Sequence, residues 1–370
     1  MAFRNIRKKI AYWLYVFIFT LVAAEIILRI YNPFPTSVTG DKITLHNNTT
    51  RIFENVKGND LDPTVIVHKN SLAFRGPEPP RDFQNYLTVL TIGGSTTECL
   101  IINEEKTWPT LLSNELAKSF KNLWLNNAGL NGHSTYGHIK LLQDYVIKLK
   151  PKVCIFLVGC NDVDRPDLSR SDSTVYNENQ NLLITLARHS TLINVCLNFY
   201  RHHRAKEREF VKSEPFRLTG FKPREVSDSL IAIARQRLRP DVERYGTRVK
   251  KIIDLCRSAE IVPVFVTQPC VLGDAVDDVT GTNLATFPYR NQNGKLYWTE
   301  LSLYNNETKR ICGEETVNVI DLANLLPKSS KYFYDLLHYN NAGCRKVSEL
   351  LSRNLVQYLG EKFPGYRKSN

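Results

Sequence analysis

From residue 87 onward, short continuous apolar runs alternate with longer segments of helical period. Runs of four to eight residues that are rich in valine, isoleucine and leucine are typical of buried strands. Five such runs predict strands: LTVLTI (87–92), LWLN (123–126), KVCIFLV (152–158), VPVFVT (262–267) and VNVI (317–320). Helical periodicity lies between and after them, at 107–120, 136–149, 241–259, 299–311 and 341–359.

This alternation predicts an α/β fold. Strands that are apolar along their whole length are covered on both faces, as they are in parallel sheets. We therefore expect a doubly wound, five-stranded parallel sheet in a three-layer α/β/α domain of the flavodoxin-like kind, over residues 87–360. Ligands of such sheets bind beyond the carboxyl ends of the strands. The residues that follow each apolar run are therefore the candidates for chemistry.

Two segments do not fit the alternation. Residues 163–240, between the third and fourth predicted strands, are too long for a simple connection and contain a basic stretch, RHHRAKEREFVK. Because this helical, basic insert leaves from the carboxyl edge of a strand, we expect it to overhang the site as a lid, with a peripheral decoration as the alternative. Residues 32–86, which begin polar, are interpreted as a stalk and lead-in.

A separate apolar segment, Ile10–Tyr31, stands near the N-terminus. It would span about 33 Å as a helix, which is enough to cross a bilayer. The basic residues within 1–9 predict a cytoplasmic N-terminus and an extracytoplasmic domain, periplasmic or extracellular. Glu25 and Arg29 are four residues apart and can pair near the outer end. A cleaved signal peptide ending at 22–24 is the alternative to an anchor.

The net charge and the cysteines limit the classes of partner and ligand that we predict for this chain. The net charge is +12, but the basic residues are spread without a nucleic-acid motif, so we predict no nucleic-acid partner. Such a surface attracts anionic lipid headgroups or acidic polysaccharide, or is simply solvated. The eight cysteines form no zinc spacing, and the adjacent His202 and His203 cannot share a helix face. We predict no metal and no organic cofactor; disulfides are left open.

Three of the predicted strands end in residue types that acyl transfer needs. The first is followed by GGSTTE, whose glycines let the chain turn sharply and expose Ser95 Oγ. The second is followed by NNAGLNG, in which the Gly129 N–H can approach a substrate oxygen. The third ends in VGCND, which presents the amide of Asn161 as a further donor. Each of these segments taken alone is more often an ordinary turn.

The C-terminal segment YDLLHYNNAG adds a possible acid–base pair. Asp335 and His338 are three residues apart, a spacing that brings both side chains to one side of a helical turn. The carboxylate can hold one imidazole nitrogen and leave the other to take a proton from Ser95. It is the conjunction of these features at one edge of the sheet that points to a serine nucleophile.

This combination resembles the SGNH hydrolases, the GDSL-type lipase/esterase family, over residues 87–360 apart from the insert. The four residues that give the family its name fall here on Ser95, Gly129, Asn161 and His338. The first block departs from the founding pattern, with Gly94 where that pattern has aspartate. Together with the N-S-L-x-F-R-G segment Asn70–Gly76, this variant is similar to a membrane-anchored G-G-S-[ST] subgroup.

The resemblance implies an ester hydrolase that works through a covalent acyl-enzyme. Ser95, His338 and Asp335 would form its triad, and the N–H groups of Ser95 and Gly129 with the Asn161 amide would form its oxyanion hole. The substrate would bear an ester, on lipid or on acylated polysaccharide. Two alternatives stay open: an O-acetyltransferase or deacetylase of cell-envelope polysaccharide, and a catalytically silent binding protein of this fold. The acyl group and the oligomeric state are not predicted.

Overall fold

The computed structural model describes residues 2–34, 36, 38–55, 58, 60–163, 182–206 and 217–369, with no side chains for residues 2–5 and 202–206. The chain divides into two compact units. Met1–Leu45 and Ser169–Lys212 form the first, which we call the helical unit. His46–Leu168 and Ser213–Asn370 form the second, which we call the sheet unit.

Strands and helices are numbered in chain order over the described residues. The strands are β1 (Val38–Thr39), β2 (Lys42–Ile43), β3 (Thr49–Glu54), β4 (Thr64–Lys69), β5 (Leu87–Gly93), β6 (Leu123–Asn127), β7 (Val153–Val158), β8 (Val262–Thr267), β9 (Pro288–Tyr289), β10 (Gln292–Asn293) and β11 (Asn318–Ile320). The helices are α1 (Ala2–Ile30), α2 (Ser95–Glu98), α3 (Trp108–Ser119), α4 (Thr135–Leu141), α5 (Ile147–Leu149), α6 (Cys160–Val163), α7 (Leu182–His189), α8 (Thr191–Lys206), α9 (Asp228–Ser258), α10 (Gly294–Glu314), α11 (Leu322–Leu325) and α12 (Asn341–Lys362). A π-helical turn, Leu142–Val146, joins α4 to α5.

The five predicted strands form one parallel sheet in the order β6-β5-β7-β8-β11. Counted along the chain, this is the order 2-1-3-4-5 of flavodoxin-like folds, so the predicted fold class is confirmed. The direction of winding reverses between β5 and β7. A crevice therefore opens at the carboxyl ends of these two strands, directly after which Ser95 and Asn161 lie.

Helices cover both faces of this sheet. On one face α3 packs against α12 and β6, and on the other α9 packs against α10, α4 and β8. Every residue of β5 and of β7 is buried, as their unbroken apolar runs predict. Asn340 caps α12 by accepting a hydrogen bond from the Gly343 N–H (2.8 Å), so this helix begins three residues after His338.

The lead-in 32–86 is more structured than a stalk. β3 and β4 pair as an antiparallel hairpin, in which Val65 and Val67 are buried while their neighbours are exposed. This alternation buries one face of the hairpin, which fixes it to the sheet unit. After the hairpin, Arg75 and Asn127 exchange two backbone hydrogen bonds, of 3.0 and 2.8 Å, at the end of β6.

Helix α9 begins earlier than its periodicity predicts. Periodicity predicted a helix over 241–259, but Asp228–Ser258 is continuous through Pro240, although proline usually interrupts a helix. The turns before the proline are held by an apolar cluster with α10, made of Ile231, Ala234 and Leu296. The last part of the predicted insert is therefore the beginning of a core helix.

In the helical unit, the described middle of the insert, α7 and α8, forms one compact body with α1. The segment Ile6–Ile30 of α1 has a mean hydropathy of 2.1, and none of it is buried against the described chain. By length and composition, it is the one described helix that could cross a membrane. Residues 164–181 and 207–216 of the insert lie outside the described residues, so its predicted place over the site stays a prediction.

Candidate active site

Ser95 is the first residue of α2, immediately beyond the carboxyl end of β5. Gly94 precedes it, and a Cβ at that position would lie only 2.3 Å from Asn161 Nδ2. Glycine is thus needed for the Asn161 amide to approach the backbone beside the serine. Among the described residues, the Ser95 N–H has no hydrogen-bond partner, as expected at the N-terminus of a helix. Both the hydroxyl and the amide of Ser95 are available for chemistry.

The short helix that carries Ser95 is held by side chains around it. A helix of four residues leaves its carbonyl groups without donors of its own. Buried side chains donate to the four carbonyls after Ser95: Trp108 Nε1 to Thr96 O (2.9 Å), Asn127 Nδ2 to Thr97 O (2.7 Å), and Arg75 Nη1 to Glu98 O and Cys99 O (2.7 Å each). The orientation of the serine is therefore determined by tertiary contacts.

His338 and Asp335 meet Ser95 in a continuous chain of hydrogen bonds. His338 Nε2 lies 2.7 Å from Ser95 Oγ, and His338 Nδ1 lies 2.7 Å from Asp335 Oδ2. The other carboxylate oxygen of Asp335 accepts from the backbone N–H of His338 (2.7 Å) and of Leu337 (2.8 Å). Tyr334 stacks on the imidazole, with ring centroids 5.4 Å apart and 10° between the planes. The ring is thus oriented from two sides.

The charge of Asp335 follows from these contacts. Burial by itself would raise the pKa of the carboxyl group, but the charge of His338 and the hydrogen bonds from its ring and backbone outweigh burial. The net effect is a pKa below the ordinary value for aspartate. Asp335 is therefore ionised at neutral pH, as an acid that orients an imidazole and stabilises its protonated form must be.

Asn161 lies at the end of β7, in the first turn of α6. Its Nδ2 donates one hydrogen bond to His133 O (2.9 Å), which leaves the second amide hydrogen on the side of Gly94. The next residue, Asp162, is buried and accepts from Thr135 Oγ1 (2.5 Å). This bond joins the turn that carries Asn161 to the turn after β6.

A buried arginine also joins the turn that carries Asn161 to the turn after β6. Arg248, on α9, donates to Asp162 Oδ1 (3.1 Å) and to Thr135 Oγ1 (2.7 Å), and its guanidinium lies 4.1 Å from the centre of the Tyr136 ring. A buried carboxylate with these partners is fully compensated only while they stay in place. The cluster therefore fixes the position of Asn161 relative to the loop at His133.

Gly129 lies in the predicted loop but does not offer its N–H to the crevice. That N–H donates to Asn127 Oδ1 (2.9 Å), so it already has a partner inside the protein. A Cβ at Gly129 would lie 2.4 Å from the Glu98 nitrogen, which explains glycine here as a packing requirement against α2. The Gly129 N–H is thus occupied inside the protein in this structure, and its role as an oxyanion donor stays a prediction.

The second glycine of NNAGLNG is the better candidate in this loop. Among the described residues, the Gly132 N–H has no hydrogen-bond partner. Gly132 directly precedes His133, whose carbonyl binds the Asn161 amide and would lie 3.2 Å from a Cβ at Gly94. Gly132 was not selected from the sequence, because Gly129 lies nearer to the end of the strand.

Most of the chain matches the sequence model of one protein family. The sequence model described as the GDSL-like Lipase/Acylhydrolase family matches residues 91–346, more than half of the 370 residues. The chain belongs to this family. It is accordingly a hydrolase that acts on ester bonds, as the resemblance of the motifs predicts.

Several solved structures of this kind are similar to the acylhydrolase. They include the acetyl xylan esterase AlAXEase (15% identity, TM-score 0.42, covering 72% of this chain and 98% of that one), the lipase/acylhydrolase from Enterococcus faecalis (14%, 0.40, 73% and 96%) and a GDSL-like lipase from Bacteroides thetaiotaomicron (11%, 0.40, 76% and 93%). No curated protein matches the chain.

Two further residues of the acylhydrolase site were missed in the sequence. Gln268 directly follows β8, is buried, and accepts a hydrogen bond from Thr96 Oγ1 (3.1 Å) beside the serine. The strand-end rule that identified Ser95 would have identified Gln268 too. Arg75 was noticed only as part of a motif, because its contacts with α2 are remote in sequence.

Among the described residues, no group of three His, Cys, Asp or Glu side chains could hold a metal ion. The side chains of His202 and His203 lie outside the described ones. All eight cysteines are described, and none of them is in a disulfide; six are buried, and burial raises the pKa of Cys154.

Proposed function

We propose that this acylhydrolase cleaves esters through a covalent intermediate on Ser95, with His338 as general base and Asp335 as the group that orients it. The observation that carries the proposal is the chain of two 2.7 Å contacts from Asp335 through His338 to Ser95 Oγ. Heavy-atom distances of this size are those needed for proton transfer. Few structural roles would require these three groups in one chain of hydrogen bonds.

The proposed reaction has two halves. Ser95 Oγ attacks the ester carbonyl while His338 Nε2 takes its proton, and the tetrahedral intermediate collapses when His338 returns that proton to the leaving alcohol. Water then attacks the acyl-serine, again giving a proton to His338, which passes it to Ser95 Oγ as the acid leaves. The ionised Asp335 stabilises the imidazolium in both halves.

The oxyanion would be bound at the crevice by three donors. The Ser95 N–H and the free hydrogen of the Asn161 amide support this role, because both face the space beside Gly94. The Gly132 N–H, unpartnered among the described residues, is the third candidate. Preorganised donors of this kind commonly supply the largest electrostatic contribution to acyl transfer.

We further propose that α1 is a membrane anchor and that the sheet unit lies outside the cytoplasm. The hydropathy of Ile6–Ile30 and the basic residues ahead of it support this topology. The proposed substrates are esters carried by lipid or by acylated polysaccharide, and short acetyl esters are the first class to test. One of the similar structures is that of an acetyl xylan esterase.

The test is hydrolysis of nitrophenyl acetate and of a long-chain nitrophenyl ester by the full-length protein in lipid nanodiscs. Ser95→Ala should lower kcat by about 10⁴-fold or more. Ser258→Ala, which removes an exposed hydroxyl at the end of α9, should leave kcat unchanged. A fluorophosphonate should label the wild type, and the label should map to Ser95.

Three outcomes would decide against the proposal. Full activity of Ser95→Ala would remove the nucleophile, and a label on another residue would relocate it. Quantitative transfer of the acyl group to an added sugar, with little free acid, would make the protein a transferase that uses the same triad.

A further inference from the structure

The apolar helix α1 carries one acidic residue, Glu25, near its outer end. An ionisable group within an apolar segment is costly unless it has close partners. Glu25 finds them on the insert: its carboxylate accepts from the backbone N–H groups of Thr191 and Leu192 (2.9 Å each) and from Ser190 Oγ (2.8 Å). The negative charge thus caps the N-terminus of α8.

A second pair of contacts holds the same junction. Arg29 donates to Glu25 Oε1 (2.6 Å) and to the carbonyl of His189 (2.5 Å), the last residue of α7. Beyond the end of α1, Phe34 packs edge-on against Phe199, with centroids 5.2 Å apart. The anchor helix and the two insert helices are therefore joined both at Glu25 and at Phe34.

These contacts set the level of the insert along α1. Glu25 lies about 7 Å before Ile30 on a helix that rises about 1.5 Å per residue. Tyr12 and Tyr31 would be about 28 Å apart on such a helix, close to the thickness of the hydrocarbon layer of about 30 Å. Aromatic residues are enriched where that layer meets the headgroups. The start of α8, held at Glu25, consequently lies about 9 Å inside the level of Tyr31, a depth of about 5–10 Å being usual for the apolar face of an interfacial helix.

The insert helices that leave this junction expose large apolar side chains. Leu182 is 72% exposed and Phe199 is 54% exposed, and clusters of exposed large apolar residues mark interaction or membrane-contact sites. We call the set the α7–α8 apolar face, and its members are Leu182, Leu183, Leu186, Phe199 and Tyr200. Leucine together with aromatic residues is the composition of helices that lie in a membrane interface.

We propose that the α7–α8 apolar face lies in the outer interfacial layer of the membrane, where lipid covers it. The inference rests on the proposed anchoring of α1 and extends it to a second contact with the bilayer. Lipid, rather than a second copy of the chain, covers this face, because Glu25 and Arg29 hold α7 and α8 against the outer end of the membrane-spanning segment of α1. The α7–α8 part of the insert is thus a second membrane-contacting element, which we call the platform. Glu25 is the residue that joins the platform to α1.

The test is photo-crosslinking of the full-length protein in native membranes. Benzoylphenylalanine is placed at Leu183, at Phe199, at Phe17 within the span, and at Leu325, an exposed leucine of the sheet unit. Lipid adducts are then quantified by mass spectrometry. We expect adducts at Phe17, and yields at Leu183 and Phe199 severalfold above that at Leu325.

The failures of the two proposals are distinguishable. Absence of lipid adducts at Phe17 would show that α1 is not inserted, which overturns the anchoring itself. Adducts at Phe17 with none above the Leu325 yield at Leu183 and Phe199 would overturn only the platform. Protein–protein adducts at Leu183 between two copies would also overturn it, since a second chain would then cover the face.

The role of Glu25 is tested in the same format. Glu25→Ala removes the acceptor for the first N–H groups of α8, so the lipid adducts at Phe199 should be largely lost while those at Phe17 persist. Hydrolysis of a soluble nitrophenyl ester, which should be retained, reports that the sheet unit is folded. Unchanged adducts at Phe199 would show that Glu25 does not hold the platform in place.

Discussion

At the scale of single residues, the site depends on where each hydrogen-bond donor points. Asn161 gives one amide hydrogen to His133 O and has the other beside Gly94, whereas the Gly129 N–H is used by Asn127. Two residues with the same predicted role therefore differ in availability. An unused donor at the crevice can stabilise charge that develops only in the transition state, and a used one cannot.

Asn161→Ala should lower kcat for nitrophenyl acetate by about 10²–10³-fold, with a much smaller change in KM, because the lost donor acts on the oxyanion. Steady-state kinetics of the full-length protein measure both constants. Asn354→Ala, at an exposed asparagine of α12, is the matched control and should change neither. A variant of Asn161 that keeps most of its kcat would exclude the amide from the oxyanion hole.

At the scale of elements, the four-residue helix α2 cannot be stable by itself. Helices of this length do not persist in isolation, and their carbonyl groups need outside donors. Arg75 supplies three of its bonds here, to Glu98 O, Cys99 O and Ile102 O, and its side chain is fully buried. The motif before the sheet thus acts on the nucleophile by holding the end of its helix.

Arg75→Met should destabilise the protein by about 3–5 kcal/mol, because it leaves Glu104 without its buried partner and three carbonyls without donors. Thermal unfolding followed by circular dichroism measures the loss. Below the unfolding transition, kcat should also fall, since α2 is no longer fixed at both ends.

Arg239→Met is the matched control for this change. Arg239 is 80% exposed and pairs with Glu243 one turn away on α9, an arrangement worth at most about 0.5 kcal/mol. Equal unfolding temperatures for the two variants would contradict a special role for Arg75.

At the scale of the whole molecule, one chain combines the sheet unit with an apolar helix, α1. The basic residues ahead of α1 favour a cytoplasmic N-terminus, and the sheet unit then lies on the other side. A cleaved signal peptide would export the same unit without retaining it. The two possibilities differ in whether residues 1–24 persist in the mature protein.

Protease added outside intact or spheroplasted cells should digest residues 36–370 and leave a protected N-terminal fragment. Epitope tags at the two termini, read by immunoblot, measure this. The C-terminal tag should disappear while the N-terminal tag survives until detergent is added. Protection of the C-terminal tag would reverse the orientation, and absence of the N-terminal tag from the mature protein would indicate signal-peptide cleavage.

Much of this architecture is local information and can be predicted from the sequence. Continuous apolar runs in the sequence predict the buried strands. Ser95 and Asn161, which follow two of these strands, are then expected to lie close together, because parallel strands end at the same edge of the sheet. Asp335 and His338 are neighbours on one turn, so their pairing also needs no knowledge of remote contacts. The fold class and the family follow from these short-range patterns.

The features that the sequence did not predict depend on contacts between residues that are far apart in the chain. Whether the Gly129 N–H is free depends on the rotamer of Asn127, and the role of Arg75 depends on α2 packing against it. Helix α9 continues through Pro240 because α10 buries its first turns, and Glu25 caps a helix that begins more than 160 residues later. Such long-range pairings produce no periodic pattern in the sequence. Each depends on tertiary packing and on the cost of leaving a buried polar group without a partner.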